Sequence, residues 1–285
     1  MRLHHELLAA PGATPTKVVV FLHGILGSGA NLRSHARRFI QSRPEFLAAL
    51  IDLRAHGQSL GVEPFTPNEV EGRHPGDTVA GAAQDIVETA QTWDLPVAAV
   101  VGHSFGGKVA LAFATLQPKL QNVMTLDSAP GPRGDARGSE QTVQVLAMLE
   151  TLQHPWRDRD AFIAEVEHRG LSRALGQWLA MNLEPRPEGF VFRLSLERIN
   201  ALLSDYLAID LWPVVERAAK EKIEPRMHLV IGAKSHVYSP EDRLRAHAIA
   251  AESEDHVTVD LLNTSHWVHV EDPQGLSALL LQRLG

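Results

Sequence analysis

The chain contains no cysteine, which excludes a disulfide framework, a thiolate nucleophile and any cysteine-held metal centre. No run of basic residues interleaved with aromatics is present, and 27 Lys and Arg face 34 Asp and Glu for a formal charge of −7. Nucleic acid is therefore disfavoured as a partner. No apolar run reaches the length of a membrane span. The opening Met1-Arg2-Leu3-His4-His5-Glu6 has neither the apolar h-region nor the cleavage site of a secretory leader. A soluble, cytoplasmic protein without a membrane partner is the expectation. What is present is ordinary for a globular fold: 285 residues, 44% hydrophobic and 21% charged, enough for a sizeable core in one large domain or two small ones.

The most informative stretch is Val97–Gly107, Val-Ala-Ala-Val-Val-Gly-His-Ser-Phe-Gly-Gly. The run Val97–Val101 suits a strand buried on both faces, and Phe105–Leu116 suits a packed helix. Between them Gly102-His103-Ser104-Phe105-Gly106 matches Gly-x-Ser-x-Gly in the strand-to-helix context that motif needs, with glycines where side chains would collide. Ser104 is expected on the turn with its hydroxyl exposed, beside the free N–H groups and positive dipole end of the helix. Gly102–Lys108 also satisfies Gly-x-x-x-x-Gly-Lys, but Val109 stands where a phosphate-binding loop needs Ser or Thr. A nucleotide site is disfavoured.

Around this stretch, strand-like and helix-like runs alternate, the pattern of a parallel sheet with crossover helices. Strands are expected at Lys17–Leu22, Leu47–Ile51, Val97–Val101, Asn122–Leu126, His228–Ile231 and Val257–Leu262. Helices are expected at Asn31–Ser42, at Thr78–Trp93 with Asp77 as its capping candidate, at Pro240–Ala251 and at Pro273–Leu284. Gly61–Gly76, with three prolines, reads as a long surface loop bordering the site. Residues 129–224 hold helix-like segments but no convincing buried strand, so the expected organisation is a core of 1–128 and 225–285 with 129–224 as a helical cap. Trp156, Phe162, Trp178 and Phe190 in that segment are candidates either to shape an acyl pocket or simply to pack the cap.

A serine nucleophile needs a base, an acidic orienter and an oxyanion hole, and in this class of fold the chain order is Ser, acid, His. His266, in Ser265-His266-Trp267-Val268-His269 directly after the last strand, is the expected base, with His269 as runner-up. A metal site built on these two histidines lacks a clear third ligand. Phe105 N–H is the expected first oxyanion donor. The second is expected from Phe21-Leu22-His23-Gly24-Ile25-Leu26-Gly27, with Ile25 ahead of Leu26 and His23 holding the loop by hydrogen bonds. Asp52-x-Arg54-x-His56-Gly57-x-Ser59 is expected to brace the floor of the site. The acid is least obvious, because Gly232–Tyr238, where it would normally fall, has no carboxylate. Asp127, at the end of the Asn122–Leu126 strand, is the expected orienter, since a carboxylate there faces the ligand crevice. Asp242 and Asp210 are lesser candidates. His103 and Trp267, beside the nucleophile and the base in sequence, are expected to contact substrate.

His23-Gly24, Asp52-x-Arg54-x-His56-Gly57-x-Ser59, Gly102-His103-Ser104-x-Gly106-Gly107-Lys108, Leu126-Asp127-x-Ala129-Pro130 and His266-Trp267-Val268-His269 together resemble the α/β-hydrolase superfamily and, more narrowly, the YbfF-type esterases. The likeness runs over about 17–127 and from 226 to the end, and is much weaker between. It implies hydrolysis of small-molecule carboxylic esters without cofactor or metal, on a mostly parallel sheet with a helical cap. It also implies Ser104, Asp127 and His266 as triad, with the acid after the sixth strand. The chain departs from that family in its longer 61–76 loop, in Phe105 where methionine is common, and in Thr264-Ser265 where glycine is. The expected function is a serine carboxylesterase for short- to medium-chain esters. Thioester, lactone or carbon–carbon hydrolysis, perhydrolysis and a non-catalytic ligand receptor are the alternatives on the same residues, while an aspartate-nucleophile dehalogenase or epoxide hydrolase is disfavoured by Ser104.

Overall fold

The computed structural model describes residues 2–60, 76–134 and 140–285; the expected long loop, apart from Gly76, lies outside them. In chain order the elements are β1 (His5–Leu8), β2 (Lys17–Leu22), α1 (Arg33–Ser42), β3 (Phe46–Ile51), α2 (Val79–Ala90), β4 (Val97–His103), α3 (Phe105–Ala114) and β5 (Asn122–Leu126). There follow α4 (Glu140–Thr151), α5 (Arg159–His168), α6 (Arg173–Leu179), β6 (Leu183–Arg186), β7 (Gly189–Phe192), α7 (Leu196–Ala208) and α8 (Trp212–Glu221). The chain closes with β8 (Arg226–Gly232), α9 (Pro240–Glu252), β9 (Val257–Leu262), α10 (Val268–Glu271) and α11 (Pro273–Leu284).

Seven strands form one sheet in the order β1-β3-β2-β4-β5-β8-β9, parallel except for β1, which pairs antiparallel with β3. The continuous apolar strands are explained by helices on both faces. Val18, Val20 and Leu22 of β2 join a core with α2, α3, α8 and α9, while Val19 and Phe21 join a second core with α1 and α11. The chain passes from β2 outward to β3, whereas β4, on the other side of β2, leads on to β5. Their carboxyl ends therefore open a crevice at a reversal of strand order, the place where open α/β sheets bind ligands.

Several local expectations are revised. Thr78, not Asp77, caps α2 by accepting the Gly81 N–H at 2.9 Å, because the Asp77 carboxylate is engaged by the Arg198 guanidinium through two 2.8 Å bonds. The 129–224 segment, expected to hold helix-like stretches without a buried strand, also contains the antiparallel pair β6–β7, which stands apart from the main sheet and is half-buried or exposed beyond Leu183. Helix α8, expected in the cap, packs on β8, β9 and α9 and so serves as the crossover into β8.

Candidate active site

β4 enters α3 through Ser104, at φ 53° and ψ −117°, a region that residues other than glycine occupy only when their surroundings enforce it. The Ser104 N–H donates to Leu126 O at 3.0 Å, fastening the turn to β5. Glycines permit the tight packing around it. A β-carbon at Gly102 would stand 2.0 Å from Gly106 O, and one at Gly106 would stand 2.6 Å from His23 O and 2.7 Å from Leu22 O. Phe105 is the first residue of α3, so its N–H has no acceptor within the helix and lies at the positive end of the dipole.

At the neighbouring strand end, Asp127 is fully buried with φ 46°. Its Oδ1 accepts the Gly232 N–H at 3.0 Å, and its Oδ2 accepts both the Ser235 hydroxyl at 2.6 Å and His266 Nδ1–H at 2.7 Å. The loop that lacks a carboxylate thus supplies two donors to one reaching in from β5. With Nδ1 committed as a donor to Asp127, His266 Nε2 is left as the acceptor, the tautomer a general base requires. Asp242 is occupied elsewhere, in a capping box with Ser239 and as acceptor for Trp212 Nε1–H at 3.3 Å, and Asp210 accepts the Trp212 N–H at 3.0 Å.

Ser104, His266, Ile25, His103 and Trp267 line one pocket of about 90 Å³, closed on the far side by Val145, Leu175 and Trp178 from the 129–224 segment. Among the described residues no side-chain hydrogen bond joins Ser104 to His266. Both line the same pocket wall. Trp267 meets Trp178 edge to face at 5.4 Å. His103 does line the pocket, but it is buried and its Nε2–H donates to His266 O at 3.0 Å. Burial, reinforced by His269 and His266, holds its imidazole well below the ordinary range. It therefore ties the nucleophile strand to the base loop as a neutral ring. His269, the runner-up base, is pushed down to about 3 by burial. Of the other aromatic candidates, Trp156 and Phe162 pack on each other at 4.9 Å within the segment, and Phe190 lies under the Arg159 guanidinium.

The loop after β2 is held as the sequence suggests. His23 Nδ1–H donates to Gly24 O at 2.7 Å and its Nε2 accepts the Leu53 N–H at 3.0 Å. Leu26 N–H donates to His56 Nε2 at 2.9 Å, leaving Ile25, which lines the pocket, as the better-placed free donor. Asp52 accepts the N–H groups of Gly29 and Gln58 at 2.8 Å each. The Arg54 guanidinium pairs with Asp85 at 2.7 Å, so this motif braces the floor.

A family model for the alpha/beta hydrolases matches residues 19–279. The chain belongs to the alpha/beta hydrolase family. Among alpha/beta hydrolases, the Danio rerio sn-1-specific diacylglycerol lipase ABHD11 is 26% identical over 259 residues, 90% of this chain and 74% of that protein. Esterase YbfF of Escherichia coli is 28% identical over 131 residues, 46% of each chain. The structure of a marine microorganism esterase superposes with a TM-score of 0.76 at 20% identity and covers 99% of both chains, a likeness of fold.

Three residues of this alpha/beta hydrolase escaped the sequence-based expectations, each bridging to the 129–224 segment. Lys108, fully buried on α3, donates from Nζ to Gly131 O and Tyr206 O at 2.7 Å and to Ile209 O at 3.0 Å. Burial lowers its amine to about 7. The Gly-Lys pattern was the available signal for it. Tyr206 of α7 is buried with the Ser128 and Ser104 side chains beside its hydroxyl, and burial raises that phenol above its usual range. Asn182, also buried, donates from Nδ2 to Leu26 O at 2.9 Å. No local pattern marks either of these two. Among the described residues no group of three or more His, Asp or Glu is arranged to hold a metal, and no helix is long and apolar enough to cross a membrane.

Proposed function

We propose that this chain is a serine carboxylesterase for short- to medium-chain esters. Ser104 attacks the ester carbonyl while His266 Nε2 takes its proton, and Asp127 fixes the tautomer and stabilises the imidazolium. The N–H groups of Phe105 and Ile25 receive the charge that develops on the carbonyl oxygen. Collapse expels the alcohol, protonated by His266, and water then repeats the sequence on the acyl-enzyme. The observation that carries this reading is the 2.7 Å bond from His266 to the buried Asp127, set in the pocket that also exposes Ser104.

Residues between β5 and α8 act in this reading as the cap, supplying the apolar wall of Val145, Leu175 and Trp178. Trp267 extends that wall from the core, and His103 supports the base from behind the pocket rather than gripping substrate. A pocket of about 90 Å³ with this apolar wall supports a modest acyl group. The relatives named esterase and lipase support ester chemistry.

A chain-length series of p-nitrophenyl esters with the wild type and Ser104→Ala tests the reading. Cleavage is expected to fall steeply beyond medium acyl lengths. Ser104→Ala is expected to keep only roughly 10³–10⁴-fold over the water rate. Near-normal ester cleavage by that variant overturns the nucleophile assignment, and rates indifferent to chain length overturn the confined pocket.

A further inference from the structure

Leu26 stands at φ 62°, in the left-handed region that L side chains occupy only under strain. Such a strained conformation persists only where its surroundings over-determine it. Two contacts do so. The Leu26 N–H donates to His56 Nε2 at 2.9 Å, and His56 is kept neutral and oriented because burial pushes it down to about 3 and its Nδ1–H donates to Arg54 O at 2.8 Å. The Leu26 carbonyl, on the other side of the same residue, accepts the Asn182 amide at 2.9 Å. The first restraint comes from the core. The second comes from the cap, 156 residues away along the chain.

Asn182 is itself held firmly. It is 3% exposed, and its carbonyl accepts the Arg193 N–H at 3.0 Å. Ala180 O, two residues before it, and Leu183 O, directly after it, both accept the Arg159 guanidinium. The cap therefore presents one rigid amide donor to the loop that carries the Ile25 N–H. Releasing Leu26 O removes one of the two restraints on the strained turn that carries the Ile25 N–H. We propose that Asn182 is a positioning residue for the oxyanion hole, so that the cap sets transition-state stabilisation through the backbone of Leu26 without touching the reacting atoms. This rests on the serine-esterase reading above and adds a specific route by which the cap governs rate as well as acyl preference.

Losing a donor that acts only when charge develops lowers kcat and kcat/KM together and leaves ground-state binding alone. Direct loss of one oxyanion donor costs roughly 10²–10³-fold. Misaiming it through one intervening residue is expected to cost about tenfold of that range. The experiment compares Asn182→Ala and the volume-preserving Asn182→Leu with the wild type on a p-nitrophenyl ester of short acyl length. Inhibition by a trifluoromethyl ketone is measured alongside. Ser104 Oγ adds to that ketone's carbonyl, its proton passes to His266, and the resulting alkoxide occupies the hole.

Both variants are expected to lose about tenfold in kcat with KM within twofold, and to bind the ketone weaker by the same factor as kcat/KM falls. Asn182→Ser, shorter but still a donor, is expected to fall between them and the wild type, and it carries the test should the other two fail to fold by thermal melting. Unchanged kcat and ketone affinity in folded variants overturn the proposal. So does a rise in KM at intact kcat, which would make Asn182 a substrate contact. Active Ser104→Ala defeats the underlying reading instead, and the two failures are separable because Ser104→Ala is measured on the same ester.

Discussion

The carboxyl edge of the sheet and the segment that covers it build one pocket by different means. The edge places its groups through main-chain geometry: Ser104 and Asp127 both occupy positive φ at strand ends, joined by the Ser104 N–H to Leu126 O bond across β4 and β5. The cap places its groups through long side chains and buried polar ties. Besides Asn182, Asp205 of α7 accepts the Val79 N–H at the start of α2 at 2.7 Å, and Arg198 holds Asp77. In the reading proposed above, a site made this way separates its duties, with bond-breaking chemistry tied to the sheet and selectivity to the segment that covers it.

That division breaks most visibly if damage to the edge proves mild. Asp127→Asn is expected to reduce kcat by up to about 10⁴-fold through loss of the tautomer, while Asp242→Asn leaves it near the wild-type value. Steady-state rates in the opposite order would move the orienter to α9. On the cap side, Trp178→Ala is expected to change preference rather than chemistry. Removing the ring opposite Trp267 is expected to raise kcat/KM for longer acyl chains relative to short ones by about tenfold, within the roughly 10–200-fold that apolar pocket changes bring. A uniform loss across chain lengths would instead make Trp178 a packing residue only.

The smallest effect concerns Lys108, which joins the two regions. The groups that face its amine are Arg133, which lowers its pKa, and Asp210, Asp242 and Asp205, which raise it, but burial dominates and leaves it at about 7. In the unfolded chain a lysine titrates near ~10.4. Between those values the unfolded chain holds a proton that the folded chain has released, so the cost this group imposes on folding is full below about 7 and shrinks as pH rises. From pH 6 to 8 the gain is about 1 kcal/mol, or roughly 2–4 °C in melting temperature. Melts of the wild type against Lys108→Met are expected to show that difference growing with pH. A difference independent of pH would mean that the amine stays protonated throughout.

The same division explains what could be read from residue order alone. The parallel strands are legible because burial on both faces makes them continuous apolar runs, as in Val97–Val101. His5–Leu8 is not, being a four-residue edge strand with a mixed burial pattern. Ser104 and Ile25 sit in glycine-bearing turns after strands, and His266 follows the last strand directly, so their contexts are local in sequence. Asp127 was inferred from the carboxylate missing after Gly232, and that loop's compensating donors, Gly232 N–H and the Ser235 hydroxyl, become visible only in three dimensions. Asn182 and Tyr206 carry no signal because their partners lie far along the chain. Asp77 misled because its strongest partner, Arg198, outcompetes the capping role its position suggests.

The close seat of Gly106 on β2 carries a wider consequence. Since a β-carbon there would collide with the backbone oxygens of Leu22 and His23, the nucleophile's helix rests on main chain, with no side-chain cushion between them. The spacing from the Phe105 amide to the loop at 24–26 is thus insulated from repacking elsewhere. Repacking of the core elsewhere is expected to leave that spacing unchanged, whatever side chains the covering segment carries.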